Sequence, residues 1–140
     1  MTDLFPIVQP EAVSAETAAL PLCREVAWDF AAGTPRYSAG SPVEVSGAEA
    51  VKVWVWKALK TVRCRYDIYT WDYGCEIENL IGQTYNDRVK ESEAVRYVRE
   101  ALLTNPYIID VRQVQVEFRD TTLTIACQIS TVYGAVTVNV

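Results

Sequence analysis

The chain has no histidine and a single methionine among its 140 residues. Without an imidazole, the usual Ser-His-Asp and Cys-His nucleophile arrangements are excluded, because each needs that base to draw the proton off the nucleophile. No P-loop and no G-x-G-x-x-G opens a helix, which removes two familiar phosphate cradles. Long apolar runs are missing as well. None approaches the roughly 20 residues a membrane-crossing helix requires, so membrane insertion is not expected. The opening Met1-Thr2-Asp3-Leu4 carries no basic leader, which predicts assembly in the cytoplasm rather than secretion. Cysteine is present four times, as Cys23, Cys64, Cys75 and Cys127, but never as a C-x-x-C pair. With no usual tetrahedral spacing and no histidine, neither zinc nor any other cofactor is expected. Four free thiols are, with Cys127 a small core residue on a strand.

What is present suits one domain, since a chain of this length buries most of its surface around a single core. Half the residues are hydrophobic and 22% are charged, a balance that argues against disorder for most of the chain. The net charge of −5 is carried by the first third. Residues 1–50 hold seven acids (Asp3, Glu11, Glu16, Glu25, Asp29, Glu44, Glu49) against Arg24 and Arg36, and the remainder balances. Within that remainder, Lys52, Lys57, Lys60, Arg63 and Arg65 follow one another without an acid. Such a block steers protein partners. The acidic total argues against nucleic acid as the main ligand.

Residues 1–25, with Pro6, Pro10, Pro21 and an alanine-rich piece from Ala12 to Leu20 that suits a short helix after Ser14, read as an arm docked on a neighbour or on the body. Residues 26–140 read as the domain. Glu25–Phe30 alternates like a short strand, and the glycine- and proline-rich stretch from Gly33 to Gly47 is a loop with a strand at Val43–Val45. Ser46-Gly47-Ala48-Glu49 has the spacing of a capping box. The helix it predicts, about Ala48 to Val62, carries Val51, Trp54, Val55, Ala58 and Val62 on one face. Lys52, Trp56 and Lys60 lie off that stripe and are candidate interface residues. Glu76–Ile81 suits a short helix closed by Gly82, and a second long helix is predicted from Val89 to Leu103, stopped by Pro106. Ile109–Phe118 is a strand whose alternation slips near Arg112–Gln113, which signals a bulge. Arg119-Asp120-Thr121 is a turn, Leu123–Ile129 a strand with one buried face, and Val136, Val138 and Val140 mark a last strand. Together these predict an α+β fold: a small antiparallel or mixed sheet from the C-terminal third, packed on two main helices, with an extended N-terminal arm.

Catalytic chemistry finds no support. Glu76 and Glu78 stand two apart, so they project to different sides of a short helix and read as solvated surface rather than as a glycosidase pair. The aromatics of Trp54-Val55-Trp56 and Tyr66–Tyr73 fit core or a protein interface better than a sugar or base platform. The last strand, from Gly134 through Ala135, Val136, Thr137, Val138 and Asn139 to Val140, closes the chain and is expected to be an edge open to another chain's strand.

Taken in order, Ala58-Leu59-Lys60-Thr61-Val62-Arg63, Tyr66-Asp67-Ile68-Tyr69, Tyr73 to Gly82, Glu100 to Ile108 and the closing strands resemble the tail proteins of phages and prophages of Gram-positive bacteria. These form an uncharacterised-domain branch of the lysozyme-like baseplate wedge proteins of contractile tails. The resemblance covers about residues 48–140. It implies a structural wedge subunit, present in several copies around the tail hub of a phage or phage-tail-like particle, that joins other wedge and hub proteins and offers its sheet to the first ring of sheath subunits. In the better-known branch a Glu-Pro-Arg triplet after the second long helix contacts the wedge core. Here the corresponding place is Asn105-Pro106-Tyr107, so a tyrosine-centred or backbone contact would replace the charged one. Deleting residues 134–140 is expected to leave a folded subunit on tails that lack sheath. A cell-wall hydrolase and a cytoplasmic adaptor using the same edge strand are the rival readings.

Overall fold

A computed structural model describes residues 19–119 and 122–140. Three short hairpin ladders come first. Strand β1 (Arg24–Val26) pairs with β6 (Glu44–Ser46), β2 (Trp28–Asp29) with β3 (Thr34–Pro35), and β4 (Tyr37–Ser38) with β5 (Ser41–Pro42), all antiparallel. The expected strand at Glu25–Phe30 is therefore two strands, broken at Ala27. The ladders part at a triangle of backbone bonds. Ala27 N–H donates to the Val43 carbonyl at 2.7 Å, Val43 N–H to Arg36 at 3.0 Å, and Arg36 N–H back to Ala27 at 2.8 Å. Each amide of the triangle is satisfied, so Ala27 is buried without an orphaned donor.

Helix α1 (Ala48–Lys60) follows, but not from a capping box. Gly47, at φ 67°, is its N-cap and no side chain caps it, because Ser46 is held in β6 opposite Arg24. The helix also stops short of Val62. Thr61 turns extended, and Val62 instead bridges to Cys75 in a parallel contact. A 3-10 turn at Ile77–Leu80 takes the place of the short helix. Helix α2 (Asp87–Leu103) begins two residues before its expected start, because the Asn86 side chain accepts the Arg88 N–H at 3.2 Å and so satisfies a first-turn donor.

The last third is a three-stranded antiparallel sheet in the order β7 (Ile108–Arg119), β8 (Thr122–Thr131), β9 (Gly134–Asn139). Helix α2 lies against β7 and α1 against β9, while β1 and β6 cover the other side of α1. The α+β expectation holds, with the sheet antiparallel throughout. Having neighbours on both sides, α1 buries more than one stripe: Ala50, Val51, Val53, Val55, Ala58 and Leu59. The main core joins Val51, Val55, Val98, Leu102, Val111, Cys127, Ile129 and Val138, each large aliphatic contributing about 1.5–3 kcal/mol. Burial raises the Cys127 thiol pKa to about 11 and raises that of Cys75, and all four cysteines are free.

The bulge is where the alternation slips, with the β7–β8 register shifting between Arg112 and Gln115 and Gln113 at φ 49°. The helical piece expected after Ser14 lies outside the described residues, as do Asp120 and Thr121 of the expected turn.

Candidate functional site

The β9 edge can be read bond by bond. Ile125 and Val140 exchange both backbone bonds, each at 2.8 Å. In an antiparallel ladder such pairs alternate with pairs that exchange none. The register Cys127↔Val138, Ile129↔Val136 and Thr131↔Gly134 therefore turns the N–H and C=O groups of Gly134, Val136, Val138 and Val140 toward β8. Those of Ala135, Thr137 and Asn139 point the other way, and these three residues are exposed. Among the described residues no strand pairs with that side. The inner half of the strand belongs to the fold, because Val138 is 1% exposed in the main core. Removing residues 134–140 would uncover that core, so the deletion expected to leave a folded subunit would damage the domain itself.

Asn105, Pro106 and Tyr107 form the corner between α2 and β7. Asn105 is buried; its N–H donates to the Leu102 carbonyl, its carbonyl accepts from Ile108, and its side-chain oxygen accepts the Tyr107 N–H at 2.8 Å. That side chain shapes the corner from within, and Pro106 is the exposed member. The Tyr107 hydroxyl donates to the Pro21 carbonyl at 2.6 Å, while the Tyr133 hydroxyl accepts the Cys23 N–H at 3.0 Å. The two rings stack at 6.1 Å. This pair pins the end of the amino-terminal segment to the sheet.

Trp56 is half-buried against Trp28 and Phe30, with ring centroids 5.9 Å away in each case. Lys52 sits over the Phe30 ring and Lys60 over Trp56, at 5.4 and 5.5 Å. Lys57 pairs with Glu25 at 2.8 Å and lies over Trp28. Much of the basic block thus fastens the hairpin layer to α1, through contacts between ammonium groups and ring faces.

Residues 61–76 include the aromatics that the sequence left open between core and protein interface. Tyr73 packs edge-on to Trp54 at 5.8 Å, as core aromatics do, yet Ile68 is 83% and Trp71 81% exposed. Tyr66 and Tyr69 are exposed beside them. A helical or alternating pattern would have signalled a buried face, and Tyr66–Trp71 has neither. Arg63 Nε holds the Trp71 carbonyl at 2.7 Å. Thr61 and Arg63 clasp Cys75, through Cys75 N–H to Thr61 at 2.9 Å and Arg63 N–H to Cys75 at 3.2 Å.

Glu76 and Glu78 do not face each other across a cleft. They lie 3.8 Å from Arg63 and 4.0 Å from Arg65, respectively, as solvent-facing ion pairs of the kind that contributes about 0–1 kcal/mol. A depression of about 690 Å³ between α2 and β7 mixes Arg88, Glu91 and Glu117 with Val95, Val114 and Val116. Among the described residues no cluster of acidic or thiol groups is placed to hold a metal ion, and no described helix is long and apolar enough to cross a membrane.

Comparison with known proteins bears on these surfaces. The family model of the contractile injection system sheath initiator matches residues 24–134, more than half of the chain. The phage-like element PBSX protein XkdS of Bacillus subtilis (strain 168) is 31% identical over 74 residues, 52% of this chain and 52% of that protein. The match spans about half the length of this curated relative.

Proposed function

The chain belongs to the contractile injection system sheath initiator family, and from that premise we propose that its β9 edge receives a strand from the first ring of sheath protein. The family assigns a structural role in the baseplate or next to the sheath. The finer reading is a wedge subunit, repeated around the hub, with a domain of residues 26–140 and an N-terminal arm whose end, from Pro21 to Glu25, lies on the body.

The observation that carries this reading is the outward set on β9. Ala135, Thr137 and Asn139 present N–H and C=O groups along an edge that none of the described strands occupies. An added strand would gain several backbone bonds at about 1 kcal/mol net each. Repetition around a ring makes such modest contacts act together. The exposed Pro106 corner, beside the β8–β9 turn through the stacking of Tyr107 on Tyr133, is the proposed contact with the wedge core, with Asn105 and Tyr107 holding its shape.

The test is Thr137→Pro. Proline is tolerated on an edge strand where its missing N–H would face solvent, and Thr137 is exposed at such a position. The variant should fold, enter baseplates and leave tubes bare of sheath under electron microscopy. Sheath of normal length on that variant would refute strand pairing at β9.

A further inference from the structure

The Tyr66–Trp71 loop is the most apolar exposed feature of the described residues that the proposed sheath contact does not use. Among the described residues Ile68 and Trp71 are the two most exposed large hydrophobics, at 83% and 81%. Exposed apolar side chains gathered in one loop mark a contact surface more often than chance.

The loop is also built to hold its shape. Arg63 grips the Trp71 carbonyl, Tyr69 N–H donates to Tyr66, and Tyr73 N–H donates to Thr70. Tyr69 lies 4.6 Å from Tyr73, which rests on Trp54 of α1. A knob fixed before binding loses little conformational freedom on docking. Thr70, Asp72 and Tyr73 share a depression with Asn105 and Pro106, so the knob is continuous with the corner proposed to meet the wedge core.

Charge selects the occupant. Asp67 is exposed on the knob, and Asp72, 79% exposed, flanks it; Arg63 pairs with Asp72 at 3.9 Å but is shared with Glu76, and Arg65 pairs with Glu78, so acids outnumber bases around the loop. An acidic rim around an apolar centre favours a partner with an apolar slot rimmed by lysine or arginine. A second copy of the chain fits that description poorly, because its depression between α2 and β7, though partly apolar, sets Glu91 and Glu117 against Arg88 and so is rimmed mostly by acid. An anionic lipid surface would repel the same two aspartates.

We infer that the Tyr66–Trp71 loop is a preformed knob, with Ile68 and Trp71 as anchors, that docks into a basic-rimmed apolar slot on a baseplate protein other than sheath. This inference rests on the reading of the chain as a baseplate subunit, but not on strand pairing at β9.

The test titrates purified chain onto baseplates isolated from cells that lack it. Ile68→Ser combined with Trp71→Ser should weaken binding about 30-fold or more, the size expected for loss of central anchors. Both side chains are largely in solvent, so circular dichroism and melting should be unchanged. Asp67→Lys with Asp72→Lys should weaken binding about tenfold at low salt. Thr137→Pro should bind as tightly as the parent, so a failed sheath test leaves this result standing, and the converse also holds. Unchanged affinity of the Ile68/Trp71 variant would overturn the inference. So would self-association in sedimentation, or binding to anionic vesicles, if either is lost with Trp71→Ser.

Discussion

Gly74 shows how one residue sets the aromatic loop. Its φ is 105°, and a Cβ built there would stand 2.9 Å from the Arg63 Cα, the Arg63 nitrogen and the Thr61 carbonyl oxygen. All three are backbone atoms of the segment that clasps Cys75, so none can swing aside as a side-chain end would. Gly74→Ala therefore combines a left-handed backbone with a collision, and should cost about 3 kcal/mol, lowering the melting temperature by roughly 10 °C. Gly40, at φ 80° with no atom within 4 Å of its missing Cβ, is the control. Gly40→Ala should cost about 1 kcal/mol, the backbone strain alone. Equal melting temperatures for the two variants would mean that the clasp yields. Asp110 shows a second residue-level effect. The Arg112 guanidinium and the Val111 N–H hold its carboxyl below the ordinary range. Its contribution is therefore present above the pKa it has in the unfolded chain and is lost as pH falls through the lower folded value.

At the scale of elements, the β7 bulge decides which side chains reach the core. Val111 faces inward, and strict alternation from it would send Gln113, Gln115 and Glu117 in after it. The extra residue at Gln113 shifts the register, and Val114, Val116 and Phe118 pack on the core instead. Gln113 takes φ 49° to do so, a conformation glycine adopts freely. Gln113→Gly should raise stability by about 0.5–1 kcal/mol in urea unfolding, and Gln113→Val should lower it by at least as much. The reverse order would show that the Gln113 side chain, not its backbone, matters at the bulge. This slip was legible because hydrophobic alternation reports burial directly, and Val51, Val55 and Ala58 of α1 were legible for the same reason, whereas Ala50, Val53 and Leu59, buried off that stripe, were not. Ser46 misled as a cap because its pairing with Arg24 is a long-range choice that local spacing does not encode. The triangle of Ala27, Arg36 and Val43 and the stacking of Tyr107 on Tyr133 are likewise long-range. The β9 edge was visible as alternation, whereas the exposure of Ile68 and Trp71 was not, since composition alone cannot tell a core aromatic from a presented one.

Across the whole molecule, stability is divided unequally between the two sides of α1. On one side lie β7, β8, β9 and α2, which supply Val98, Leu102, Val111, Cys127, Ile129 and Val138 to the main core. On the other lie six strands of two or three residues, a layer whose buried hydrophobic residue is Ala27, in the break between β1 and β2. That layer is held by Trp28 and Phe30 on Trp56, by lysines over rings, and by the Lys57–Glu25 pair. A layer with little buried aliphatic area opens at lower free energy than the core beside it. In hydrogen exchange, the Ala27, Arg36 and Val43 amides should therefore exchange well before those of Ile125 and Val140. Trp56→Ala removes the ring on which the layer rests, and a half-buried tryptophan should cost about 2 kcal/mol, less than the 3–5 kcal/mol of a fully buried one. The cost should fall on residues 24–46, whose amides would exchange about 30-fold faster while β8 keeps its protection, because Trp56 rests on the rim of the main core and is not among its buried members. If β8 and residues 24–46 accelerate equally, the two sides of α1 unfold as one unit and the division proposed here is wrong.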